Sequence, residues 1–137
     1  YATEVIGKRI SSSIYISLTD HINFALERYK SGIIFDNPLA QEVKSFYPSE
    51  YQVGEYAVEI IEKKLGIRLP SDEQASIAMH FVNAEYNTAM SETMHITTMM
   101  REVLELVEKE LGFTINPQIK AFLNTPLIAK PQKLMVF

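Results

Sequence analysis

At 137 residues, 47% hydrophobic and 22% charged, the chain has the size and composition of one globular domain with a core of its own. A net charge of −4 with no Lys/Arg cluster argues against a nucleic-acid surface, and the lack of cysteine excludes disulfides and thiolate chemistry. No apolar run approaches the roughly 20 residues of a membrane span, so no membrane partner is expected and a cytoplasmic location fits. Tyr1 stands where a Met would open a natural product, so a longer parent protein carrying an output activity is expected.

Long segments with a 3.6-residue apolar period, and no strand-like alternation, predict an all-α fold: a compact bundle of about five helices with an irregular C-terminal tail. Residues 1–12 suit an early helical turn or arm. "SLTDHINFALERYKSG" predicts the first helix, capped by Ser17 or Thr19, burying Leu18, Ile22, Ala25, Leu26 and Tyr29, with Gly32 beyond its end. The second is expected to use Asn37 as N-cap and Pro38 as its first helical residue, and to stop near Pro48. The third, over 49–65, turns Val53, Ala57, Ile60, Ile61 and Leu65 inward and ends at Gly66. The fourth lies in "LPSDEQASIAMHFVNAEYN" and opens with Ser71 and Gln74 at capping-box spacing. It is apolar on two faces: Ala75, Ala78, Met79, Val82 and Tyr86 on one, Ile77, Phe81 and Ala84 on the other. Only a narrow polar strip of Ser76, His80, Asn83 and Asn87 remains. The fifth, over 92–111, is expected to bury Ile96, Met100, Val103, Val107 and Leu111 before Gly112. The last 25 residues hold three prolines and no clear period; an extended tail is predicted, with one short helix at 117–123 and an apolar end, Leu134 to Phe137, that needs a cover.

Three histidines are the candidate chemistry. His21 flanks the first helix's apolar stripe, with Asp20 before it and Arg28 two turns on; His80 sits in the fourth helix's polar strip. Imidazole can attack phosphorus, act as a base or bind a metal. Spacing alone leaves both open between a reactive histidine and a boundary histidine that bonds a neighbour. His95, near the start of its helix, reads as a solvated side chain. Zinc is disfavoured, because the three lie on separate segments with no His-x-x-x-His or Glu-x-x-His pair. No glycine-bracketed serine and no phosphate-cradling glycine loop occur. The carboxylates and lysines of "VEIIEKKLG" and "EVLELVEKELG" read as solvated faces, and Met94, Met99 and Met100 as core filling.

Two segments together are more specific. "SIYISLTDHINFALER" at 13–28 and "LPSDEQASIAMHFVNAE" at 69–85 resemble the two histidine-bearing motifs of a PTS regulation domain. Such domains occur in transcriptional antiterminators of the BglG/SacY/LicT type and in related activators. The intervening "NPLAQEVKSFYPSEYQVGEYAVEIIEKKLGI" and the later "ITTMMREVLELVEKELG" share the family's look. The resemblance spans about 1–112, closest to the first of two tandem domains, and leaves 113–137 as a linker or tail outside it.

That resemblance implies a regulatory module and not an enzyme, with no cofactor and no metal. Its histidines would be phosphorylated by the phosphocarrier HPr or by a sugar-specific enzyme II. By motif these are His21 and His80, with Asp20 and Asn83 as supporting residues. Phosphorylation would change homodimer packing and switch an attached nucleic-acid-binding domain; lacking that domain, this fragment is not expected to bind RNA or DNA. The rival readings are a small helical metal-dependent enzyme using the histidines and a passive dimerisation module. The phosphoacceptor reading also predicts that His21 and His80 lie close together, at or beside the dimer interface, since the first and fourth helices can be neighbours and both rings sit at the edge of an apolar stripe.

Overall fold

A computed structural model describes residues 1–112 and 114–116. The described chain forms α1 (Ala2–Ile6), α2 (Ile14–Lys30), α3 (Ala40–Phe46), α4 (Pro48–Leu65), α5 (Ser71–Tyr86) and α6 (Met90–Leu111), with no strand among the described residues. The short α1 occupies the place of the expected early turn. The tail over 117–137, with its predicted short helix and its apolar end, lies outside the described residues.

The fold is organised around α5. Its two apolar faces, expected to be more than one small bundle readily buries, instead feed two separate cores within the one chain. Ala75, Ala78, Met79 and Val82 pack with Leu39, Val43, Phe46 and Tyr47 of the α3 region and with Met100 of α6. Ile77, Phe81 and Ala84 pack with Ile14 and Ala25 of α2 and with Val53, Val58 and Ile61 of α4. Burial of these aliphatic and aromatic side chains is the main favourable term, at about 25 cal/mol per Å² of apolar surface removed from water.

The most intimate contact is between α4 and α5. Gly54 is buried there, and a Cβ at this position would stand 2.2 Å from the backbone oxygen of Gln74. A second tie fixes the loop before α3. The Asn37 amide N–H donates to Asp72 Oδ2 (2.7 Å), and its side-chain amide donates to Ser76 Oγ (3.0 Å).

Several expectations are corrected. α2 begins at Ile14, a turn before Ser17, with Ser13 at the cap position. Asn37 does not cap a helix starting at Pro38; α3 starts at Ala40, and the Asn37 side-chain oxygen Oδ1 instead accepts the Leu39 N–H inside the preceding turn. The capping box at Ser71 does not form. Pro70 holds the cap position, Ser71 is already helical, and Gln74 Oε1 is taken by the Tyr51 hydroxyl.

Tyr29 and Leu65, expected inside, are exposed in the last turns of their helices. Val103, Val107 and Leu111 are exposed as well. For Val107 and Leu111 the reason is length: α6 has 22 residues against 16 in α5, so it outruns its partner by roughly 9 Å at 1.5 Å per residue. Its fully buried residues are confined to Thr93, Thr97 and Met100.

Candidate functional site: an imidazole pair on a buried carboxylate

α2 and α5 run antiparallel. The Ser11 amide bonds the Ala84 carbonyl at one end of the seam, and Arg28 reaches Glu73 at the other. On α2, His21 and Arg28 are seven positions apart; on α5, Glu73 and His80 are too. Two helical turns place each pair on one face. The two faces meet, so four residues separated by up to 59 positions in sequence form one cluster.

At its centre is Glu73, 1% exposed. One carboxylate oxygen accepts from His21 Nε2 at 2.7 Å and the other from Arg28 Nη2 at 2.6 Å. The rings of His21 and His80 are in contact, centroids 4.8 Å apart and tilted by 49°. Both rings are part-exposed at the edge of the seam, and neither is sealed in the core. The Arg28 guanidinium lies over the Phe35 ring, 4.5 Å from its centroid, and its buried Nε has no hydrogen-bond partner among the described residues.

These contacts set the charges. Burial alone pushes the Glu73 carboxyl up, but the hydrogen bonds from His21 and Arg28 outweigh it and hold the group below its usual range, ionised. An ionised carboxylate can only accept, so the proton of the neutral His21 ring belongs on Nε2 and the free lone pair on Nδ1. Burial, and then the neighbouring His21, depress His80 to about 4 against the opposite pull of Glu73. At neutral pH His80 is therefore an uncharged imidazole. The site offers two nucleophilic rings side by side, one oriented by a carboxylate, with an arginine that has donor capacity to spare.

Of the other sequence candidates, Asp20 is exposed beside His21 and is not the carboxylate that holds the ring. Asn83 faces α6: its amide oxygen accepts from Thr93 Oγ1 and its nitrogen approaches Met90 Sδ at 3.6 Å, which ties α5 to α6. His95 is exposed on α6. Among the described residues no group of three or more His, Cys, Asp or Glu could hold a metal ion. Glu73 is the residue that spacing alone underrated. The available signal was the repeated seven-residue interval, His21 to Arg28 and Glu73 to His80.

The family model described as "PRD domain" matches residues 1–84, a span that contains both histidines. A "Beta-glucoside operon antiterminator" from Dickeya chrysanthemi is 44% identical over 117 residues, covering 85% of this chain and 41% of the relative. "Transcription antiterminator LicT" from Bacillus subtilis is 41% identical over 118 residues, covering 86% of this chain and 43% of the relative. Among solved structures, "Crystal structure of GlcT CAT-PRDI" superposes with a TM-score of 0.57 at 36% identity, over 61% of this chain and 50% of that one. The chain thus spans about two fifths of the length of the curated relatives it matches.

Proposed function

The chain belongs to the PRD domain family, and from that premise we propose that it is the regulatory phosphoacceptor module of a sugar-responsive transcriptional antiterminator or activator. In this reading His21 and His80 accept phosphoryl groups from phosphotransferase-system proteins, HPr or a sugar-specific enzyme II, in the cytoplasm. The module has no catalytic task of its own. Its work is to convert phosphorylation into a change of packing that an attached nucleic-acid-binding domain reads.

The observation that carries this reading is the imidazole pair at the α2–α5 seam. The rings touch each other, keep an edge to solvent, and abut the buried charge of Glu73. A phosphoryl group adds about −2 charge and three acceptor oxygens. On His21 it would compete with Glu73 for Arg28, the cation that now ties the two helices together. A local charge change therefore bears directly on a helix–helix contact, as a switch requires.

We also propose a homodimer. Large apolar side chains stand exposed on α2 (Tyr15, Ile16, Phe24) and along α6 (Val103, Leu106, Leu111). Apolar side chains grouped on exposed helices in this way mark an interaction surface.

Incubation with phosphoenolpyruvate, enzyme I, HPr and an enzyme II tests the function. The expected result is phosphohistidine on this chain, located at His21 and His80 and absent from the double variant His21→Gln/His80→Gln. A chain left unmodified by the complete donor set, or labelled only at His95, would overturn the reading.

A further inference from the structure

The closeness of the two rings limits what the pair can carry. The seam is balanced as it stands: the Glu73 carboxylate is matched by Arg28, and one of its oxygens also takes the His21 N–H. The described residues bring one cation, Arg28, into contact with this cluster, while Asp20 beside it is exposed and of the wrong sign. The rings already sense each other, since the nearness of His21 disfavours a proton on His80.

A first phosphoryl group, of about −2 charge, can be answered by Arg28. A second, on a ring whose centroid is 4.8 Å from the first, would face the first dianion and the Glu73 carboxylate together. At such separations two dianions repel strongly even with water and salt between them.

We propose that His21 and His80 form one phosphoryl site, in which a phosphoryl group on either ring excludes the second while α2 and α5 stay packed. The inference rests on the phosphoacceptor reading above and adds its stoichiometry. Each transfer forms one P–N bond from the lone pair of a ring nitrogen. The donor's own bond to phosphorus breaks, and its electron pair leaves with the donor atom. On His21 the lone pair lies on Nδ1, so the ring's N–H can remain on Glu73. Free access of the second ring then requires the α2–α5 seam to open, so double phosphorylation and the packed seam are alternatives.

The test uses potassium phosphoramidate, a small phosphoryl donor that releases ammonia and needs no protein partner, with intact-mass readout at neutral to alkaline pH. The exposed His95 is first replaced (His95→Gln) so that only the pair is counted. This chain is compared with the same chain also carrying His21→Gln or His80→Gln, each checked for folding by circular dichroism. Each single-ring chain is expected to take one phosphoryl group. The two-ring chain is also expected to take one, with the doubly modified species at least about tenfold below the product of the single-ring occupancies. In concentrated urea it should take two.

A doubly modified fraction equal to that product in the folded chain would overturn the proposal. So would a single-ring chain that folds but refuses the label, because the limit would then be access and not competition. Failure of the phosphotransferase proteins to label a chain that phosphoramidate labels once would sink the proposed function and leave the chemistry of the pair standing.

Discussion

Glu73 receives donors from two different turns of α2 while itself lying 1% exposed, which makes it the residue whose loss the seam should feel most. Glu73→Gln keeps the shape and removes the charge, leaving Arg28 without its anion. Arg28 is 26% exposed at its side chain, so water softens the penalty. The expected loss is about 1–3 kcal/mol by urea unfolding. A cycle with Arg28→Gln is expected to show at least about 1 kcal/mol of coupling. Strict additivity would mean that the two side chains act independently.

Glu85, on the same helix, poses the opposite problem. Neither of its buried oxygens receives a donor among the described residues, and the carboxyl of Glu50 beside it can bond it only through a shared proton. Burial, then Glu50, push Glu85 up to about 9 despite the pull of Lys8.

At the scale of elements, the α4–α5 contact depends on the absence of one side chain. Helix propensity alone predicts that Gly54→Ala gains about 1 kcal/mol. The structure predicts the reverse sign, because the new Cβ would meet the Gln74 carbonyl at 2.2 Å and backbone cannot swing aside. A net destabilisation of about 2–4 kcal/mol is expected in thermal or urea unfolding. A stabilised variant would show that α4 and α5 do not approach so closely. The α6 overhang behaves differently: Leu106→Gln, at an exposed site, is expected to cost less than about 0.5 kcal/mol within one chain.

For the molecule as a whole, His80 and Glu85 titrate with opposite sign. His80 is depressed from 6.5 to about 4, so the unfolded chain binds the proton more readily; its contribution is present above pH 6.5 and lost as pH falls towards 4. That loss amounts to at most about 3 kcal/mol. Glu85 is raised from 4.5 to about 9, so its contribution is full below pH 4.5 and lost as pH rises towards 9. Glu85→Gln is therefore expected to exceed the parent in stability by about 1–3 kcal/mol at pH 8, the advantage shrinking towards pH 5. Urea midpoints across pH 4–9 check both, and a difference that does not vary with pH would contradict a neutral buried Glu85. The whole molecule is also where pairing shows. Light scattering at tens of micromolar is expected to give a dimer that Leu106→Gln or Phe24→Gln weakens. A strict monomer would leave the exposed apolar residues of α2 and α6 without that role.

The sequence by itself determined the helical class, the order of the long helices and the double-faced character of α5. Residue period is a local property, and Ala75, Ala78, Met79 and Val82 against Ile77, Phe81 and Ala84 sort onto two faces of a helix whatever lies opposite. It also carried the family resemblance, through two motifs around His21 and His80. Which apolar stripe is covered was not local. Val107 and Leu111 have as good a helical period as Met100, yet α5 ends before it can cover them. Nor could spacing choose among carboxylates near His21. Asp20 is its chain neighbour, but successive helical residues point about 100° apart, and Glu73, 52 positions away, is brought opposite by the antiparallel packing of α2 on α5. The same packing joins His21 to His80. Period decides which side chains share a face; only tertiary structure decides which faces meet.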